Sequence, residues 1–380
     1  MHDVFKTAQI LIDHAQATHP GEIAIVAYYG SHARGTASPS SDLDLYYIPD
    51  PGKACALCTQ FILDGLPYDF WPVSWTFLEE IAEGRSQRPW SVAAALLGYA
   101  IPLYHRSPED LARLNALKSQ LETLTRPEKR QIMIGRALAA FKETAFFLEE
   151  IRSAAARDDR ANLRWSGPRF INSVANCLGL VNQRYYSQGW GANWAEVLAL
   201  PLKPAGLDQH ARAILLPAEP GRVIRHAEIL TEGLREILYR AQTSEAEPRS
   251  AQEVLKDFYF FVLEYRNKIL SACRRGDEIA ALYAAFHFQE VVIGEMNRIK
   301  AGFFGDDFNR WPELSTGYLQ AGFPDLLPVA SRGDLEELTR LVQLFDDRMR
   351  DFLQRHTIDL GIVENQEALR RFLQARDPVD

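Results

Sequence analysis

The chain has 380 residues, is 47% hydrophobic and 24% charged, and carries a net charge of −8. Domains run to about 100–200 residues, so two are expected rather than one core. The longest apolar stretches, such as Ser91 to Ala100, fall far short of the roughly 18 residues of a membrane span. The N-terminus MHDVFKTAQILIDHAQ is acidic and helically patterned. It does not read as a signal peptide, and a cytoplasmic location is expected.

Charge is unevenly spread. Residues 1–110 hold 13 Asp/Glu against 6 Lys/Arg, a balance of −7, and the remainder is at −1. A protein that grips nucleic acid by its phosphates shows a basic stripe, and none is visible. An acidic half suits metal ions and small molecules better than a polyanion. Of Cys55, Cys58, Cys177 and Cys273, the first two form a lone CxxC. Without a second pair a zinc site is poorly supported; it reads as two small apolar residues on a helix, with a thioredoxin-like redox pair as the alternative.

In chain order, residues 3–17 read as a helix and Glu22 to Tyr29 as a β-branched and aromatic strand. A Gly/Ser/Thr/Pro-rich turn runs from Gly30 to Ser41, and Leu43 to Ile48 forms the next strand, ended by Pro49-Asp50-Pro51-Gly52. Residues 53–63 are expected as a helix. Leu66 to Trp75 is expected as a third strand, with Pro67 and Pro72 placing it at an edge or making it irregular. Short helices fill 76–98, and Ile101 to His105 is a further short strand. From about Ser107 the pattern is helical. Pro127 to Arg157 makes one long helix with Ile134, Leu138, Phe141, Ala145 and Leu148 along one face. Further helices are expected at 161–187, 191–199, 208–216, 221–241, 249–274, 277–300 and 333–355. The fold class is α/β in the α+β sense: a small mixed-sheet domain over 1–110, then a larger all-helical domain over 111–380.

The chemistry is concentrated in Tyr29-Gly30-Ser31-His32-Ala33-Arg34-Gly35-Thr36-Ala37-Ser38-Pro39-Ser40-Ser41-Asp42-Leu43-Asp44-Leu45. A glycine directly after a strand lets backbone approach a phosphate, with the Ser31 hydroxyl beside it. Arg34 offers a guanidinium fork to phosphate oxygens. Asp42 and Asp44, at i and i+2 of a strand, point to one face, and two adjacent carboxylates call for a cation. Hard oxygen ligands beside a phosphate-binding turn suit Mg²⁺. Asp69, the lone charge in the apolar run Tyr68-Asp69-Phe70-Trp71, is the candidate third carboxylate. Asp50 and Asp64 sit beside turn-forming residues and are weaker candidates.

These residues resemble the GS-x-A-R-G-x-A-x-x-S-D-x-D-L signature of the DNA polymerase β-like nucleotidyltransferase superfamily, matched by Gly30, Ser31, Ala33, Arg34, Gly35, Ala37, Ser41, Asp42, Asp44 and Leu45. The resemblance covers about 17 residues by motif and about the first 110 by fold. It implies that Gly30 and Ser31, with Arg34 and Ser41, hold the triphosphate. It implies that Asp42, Asp44 and Asp69 are catalytic and ligate Mg²⁺, as a pair of ions. A catalytic domain followed by helices is similar to the kanamycin- and lincosamide-modifying enzymes. The expected activity is transfer of a nucleoside monophosphate, AMP from ATP, to a hydroxyl of a small molecule, with release of pyrophosphate. Transfer to protein or RNA, and a non-catalytic antitoxin or regulatory module, stay open as alternatives.

The helical half is less informative. Lys142, Glu143, Glu149 and Glu150 read as a solvated helix face, though any of the glutamates could serve as a base. Trp165, Tyr185, Tyr186, Trp190 and Trp194 read as core and helix-end packing before they read as a stacking surface. Arg350 and His356 have the spacing of HEPN-type ribonucleases, but with nine His such a pair is expected by chance. The acceptor and the oligomeric state are not legible.

Overall fold

The computed structural model describes residues 3–38, 41–53, 57–85, 89–189, 191–216, 219–305, 311–362 and 365–376. It divides into two compact units, Met1–Ala241 and Gln242–Asp380. The expected boundary at 110/111 lies within the first of these.

The first unit begins with α1 (Val4–Thr18), capped by Asp3, whose carboxylate accepts from the Phe5 and Lys6 amides. Five strands follow, β1 (Ile23–Tyr28), β2 (Leu45–Pro49), β3 (Thr59–Leu63), β4 (Leu66–Pro72) and β5 (Ile101–His105). The helices α2 (Gly30–Ala33), α3 (Trp75–Ala82) and α4 (Trp90–Gly98) lie between them. The sheet order is β3-β4-β2-β1-β5, antiparallel except for β2 with β4. A small mixed sheet followed by helices is the expected α+β class.

Residues 59–63, expected as helix, form strand β3. Asp64 and Gly65, both at positive φ (51° and 79°), turn it straight back into β4. An Asp-Gly pair with both φ positive is the hairpin turn whose twist matches the flanking strands, and it outweighs the helical periodicity. Cys55 lies outside the described residues, and Cys58 is exposed and outside any helix. β4 is interior, between β3 and β2. Its pairing with β2 covers only Leu45↔Phe70 to Tyr47↔Pro72, so Pro67 needs no amide on that side.

Strand alternation sorts the sheet into two faces. Val26, Leu43, Leu45, Tyr47, Tyr68 and Phe70 pack with Val4, Ala8, Ile12 and Ala15 of α1 in one apolar core. Each fully buried side chain of this size contributes about 2 kcal/mol. The other face carries Tyr29, Asp44, Tyr46, Asp69 and Trp71, the positions between.

The helices of the first unit continue as α5 (Pro108–Thr123), α6 (Arg130–Ala156), α7 (Arg160–Val181), α8 (Trp194–Ala199), α9 (Leu207–Leu215) and α10 (Pro220–Glu245). α6 and α7 pack along their length. The buried stripe of α6 is Met133, Ile134, Ala137, Phe141, Thr144, Leu148 and Ile151. Ala145, expected on that face, is exposed and Leu138 is half-buried. The stripe is rotated toward α7, where the Cys177 thiol reaches the Ala137 carbonyl at 3.2 Å.

The second unit holds α11 (Ala251–Val254), α12 (Phe258–Arg275), α13 (Glu278–Ala301), α14 (Trp311–Gln320), α15 (Leu327–Ala330), α16 (Leu335–Arg355) and α17 (Gln366–Arg376). The single helix expected over 249–274 is broken at Asp257, which adopts φ 59°. Its core includes Val262, Ile269, Phe288, Val342 and Phe345. Buried Asp346 accepts from the Tyr259 hydroxyl at 2.9 Å and pairs with Arg266 and Arg350, each at 3.4 Å. Arg350 is thus tied into a structural network, and His356 packs against Phe352 with ring centroids 4.6 Å apart and the planes tilted by 50°. No described helix is long and apolar enough to cross a membrane.

Candidate active site

The site is assembled at the end of β1. The Tyr29 amide donates to the Asp44 carbonyl at 3.1 Å, carrying the β1–β2 pairing past Tyr28↔Leu45. β2 itself begins only at Leu45, later than expected. Burial still alternates through the acidic stretch, with Leu43 and Leu45 fully buried and Asp42 and Asp44 half-buried. Parallel pairing of Leu45 with Phe70 makes Asp44 and Asp69 neighbours on the same face, one residue earlier on each strand. Asp69 is the exposed member.

Gly30 has φ +74°, and a Cβ built on it would lie 1.9 Å from Asp44 Oδ2. The Asp44 carboxylate therefore rests directly on the Gly30 backbone, an approach that only glycine permits. Burial first, then the Asp42 carboxylate and, less strongly, Asp69, together push the Asp44 carboxyl up to about 6. Arg34 and His32 oppose the shift. The Tyr29 hydroxyl, which accepts from the Trp71 indole, is pushed up to about 12 by burial and then by Asp44, Asp69 and Asp42. Three carboxylates thus act on one small region.

A raised carboxyl has a consequence for stability. The contribution from Asp44 is fully present below its unfolded value of 3.8 and is lost as pH rises through about 6. With divalent ions chelated, Asp44→Asn is therefore expected to be the more stable protein above about pH 7, by about 1 kcal/mol after allowing for solvent screening. The two proteins should converge in acid. Thermal melts across pH check this.

Arg34 is braced on three sides. Its Nε donates to the Gly30 carbonyl at 3.1 Å, and its two terminal nitrogens donate to Ser187 Oγ and Gln188 Oε1, each at 3.3 Å. Ser187 is held in turn by Glu196, which accepts from its amide at 2.8 Å and its hydroxyl at 2.6 Å. The Ser31 hydroxyl has no partner among the described residues and stays available. The Ser41 hydroxyl does not: it accepts from the Ser38 amide at 2.9 Å and lies 3.1 Å from the Ser38 hydroxyl. Ser41 thus shapes the loop before Asp42. Pro39 and Ser40, between them, lie outside the described residues.

Among the described residues no three His, Cys, Asp or Glu side chains are gathered closely enough to hold a metal ion by themselves. The donors nonetheless fit Mg²⁺ in kind: carboxylate oxygens, no sulfur, and a buried carboxyl in need of a counter-charge. Mg²⁺ is usually bound by one or two carboxylates, with substrate phosphates and water completing its shell.

Residues 112–244 match the family model described as KNTase C-terminal domain, KNTase being kanamycin nucleotidyltransferase. The match covers about a third of the chain and falls within its helical part, α5 to α10. The crystal structure of a nucleotidyltransferase-like protein from Exiguobacterium sibiricum is similar over 66% of this chain and 83% of that chain, at 14% identity and a TM-score of 0.36. No curated protein matches. The matched span includes Ser187 and Gln188, which brace Arg34, and Glu196, which holds Ser187.

Several participants have no signal in local sequence. Tyr29 and Trp71 belong to the site by strand register, and Ser187 reaches Arg34 across 153 positions. Glu143, Glu149 and Glu150 are exposed. Of the five aromatics, Tyr186 is core, its hydroxyl on the Ala175 carbonyl, while Tyr185 meets Trp90 and Tyr99 edge-on. Trp165 is exposed, and Trp190 lies outside the described residues.

Proposed function

We propose that the protein transfers AMP from ATP to a hydroxyl of a small molecule and releases pyrophosphate. The observation that carries this reading is the Asp44 carboxylate seated on Gly30, with Asp42 and Asp69 acting on it from the same region. The acceptor oxygen bonds to the α-phosphorus, the bond from that phosphorus to the bridging oxygen breaks, and pyrophosphate departs. Asp42, Asp44 and Asp69 are the residues that would hold a pair of Mg²⁺ ions. When bound, Mg²⁺ supplies charge stabilisation at the attacking and leaving oxygens.

The chain's own groups do the rest. Gly30 and the Ser31 hydroxyl receive the triphosphate, and the Arg34 fork, held in place by Ser187 and Gln188, orients it. Asp69, exposed at the edge of the site, takes the proton of the acceptor hydroxyl. An acidic half with no basic stripe favours a small acceptor over RNA, and a cytoplasmic setting supplies both ATP and Mg²⁺.

Arg34→Lys keeps the charge but loses the fork, and is expected to raise KM for the nucleotide about tenfold with a smaller change in kcat. Ser187→Ala should raise it about two- to threefold. Initial rates against nucleotide concentration separate the two. The reading as a whole is tested by pyrophosphate release with ATP, GTP, CTP and UTP against hydroxylated acceptors, beginning with aminoglycosides and lincosamides. Acceptor-dependent release with ATP is expected. Label on protein or RNA, with none on any small molecule, overturns the acceptor class.

A further inference from the structure

The first unit contains a recess between α7, α8 and α9, with none of Asp42, Asp44 and Asp69 in its lining. α7 and α9 approach closely at Gly167, where a Cβ would stand 3.2 Å from the Ile214 carbonyl oxygen. Beside that contact lies a cavity of about 500 Å³, walled by Ile171, Ala175, Trp194, Ala211 and Leu215. This is within the size range of small-molecule pockets, about 300–1,000 Å³. Leu215, one of the walls, is 45% exposed, so the recess opens to solvent.

Two observations say what the cavity accepts. The first is Asn193, which lines it and is only 7% exposed, yet its side-chain amide has no hydrogen-bond partner among the described residues. It caps no helix, since α8 shows no side-chain cap bond. The polar atoms of that amide still reach solvent in the open recess, so water serves them, and a ligand amide or hydroxyl would take that water's place. The second is charge. Asp208 beside the pocket is fully engaged, accepting from the Trp194 indole and the Arg212 guanidinium, each at 2.8 Å. Arg212 and Asp208 cancel, so the recess presents no free carboxylate to a cation.

We propose that this pocket binds a neutral, ring-containing small molecule with one amide or hydroxyl group, its ring against Trp194 and Ile171 and its polar group on the Asn193 amide. The proposal does not rest on the acceptor assignment and would stand if that fell. A polycationic ligand is disfavoured, because nothing in the recess balances its charge.

The test is titration calorimetry on the full chain with benzamide, 2-naphthamide and indole-3-carboxamide, and with kanamycin as a cationic control. Saturable binding of at least one neutral amide is expected. Asn193→Leu should weaken it about tenfold, equivalent to about 1.4 kcal/mol, and Ala211→Phe should abolish it by filling the cavity. Should Ala211→Phe fail to fold, Leu215→Trp fills the mouth from the surface and decides the point. Failure of all three amides to bind overturns the proposal. So does binding that neither Asn193→Leu nor the filling variant alters, or saturable kanamycin binding that Asn193→Leu removes.

Discussion

Asp44→Asn is expected to lower nucleotidyl transfer by at least about 10³-fold, the equivalent of about 4 kcal/mol of lost transition-state stabilisation. The protein should stay folded and, without divalent ions, become slightly more stable. Asp44 is half-buried, sits on Gly30 and is pushed up to about 6 by burial and by Asp42. An amide of the same shape relieves that repulsion but removes the charge that would draw in the proposed cation. Stability and activity therefore move in opposite directions. A merely structural carboxylate would show the reverse, with the variant less stable and its residual rate tracking the folded fraction. Asp42→Asn should act in the same sense. Pyrophosphate release together with a melting curve distinguishes the cases.

Gly30→Ala carries the largest combined effect. The residue needs φ +74°, and the new methyl would fall 1.9 Å from Asp44 Oδ2. A non-glycine residue at such a φ costs of order 1–3 kcal/mol, and relieving the overlap adds a similar amount. A destabilisation of about 2–4 kcal/mol is expected. Activity should fall about 100-fold or more in the fraction that remains folded, because Asp44 must swing away from the position it shares with Asp42. Gly35→Ala is the control. It also has positive φ (+70°), but its Cβ would meet nothing within 4 Å. It should cost about 1–2 kcal/mol and leave much of the activity. Denaturant titrations of both variants with rate measurements check the pair.

The parts of the site visible in sequence are those that are contiguous. Gly30, Ser31, Arg34, Asp42 and Asp44 lie within 15 positions, and the roles proposed for them follow from spacing and residue type. Asp69 is visible for another reason: a charge in an apolar strand needs an explanation, and its register beside Asp44 provides one. What sequence cannot reach is set by long-range packing. Ser187 and Gln188 meet Arg34 only because the α7–α8 connection is folded over it. Nothing in either segment alone predicts that meeting.

The fold is legible to a similar degree and for similar reasons. Strands β1, β2 and β5 and most long helices follow periodicity and turn signals. β3 departs from expectation because its apolar spacing also suits a helix, although Asp64-Gly65 is a hairpin signal of its own. The long helix expected over 249–274 breaks at Asp257, where an aspartate takes the left-handed conformation that periodicity does not reveal. α14, α15 and α17 have no counterpart among the expected helices.

The most direct test of the central claim needs no acceptor. Calorimetric titration with α,β-methylene-ATP, which cannot release pyrophosphate, reports nucleotide binding alone. The account predicts saturable binding that requires Mg²⁺, is lost in Asp44→Asn and Asp42→Asn, and is weakened in Arg34→Lys. Binding that is indifferent to Mg²⁺ and to both aspartate substitutions would contradict it, as would the absence of Mg²⁺-dependent binding for the α,β-methylene analogues of all four nucleotides.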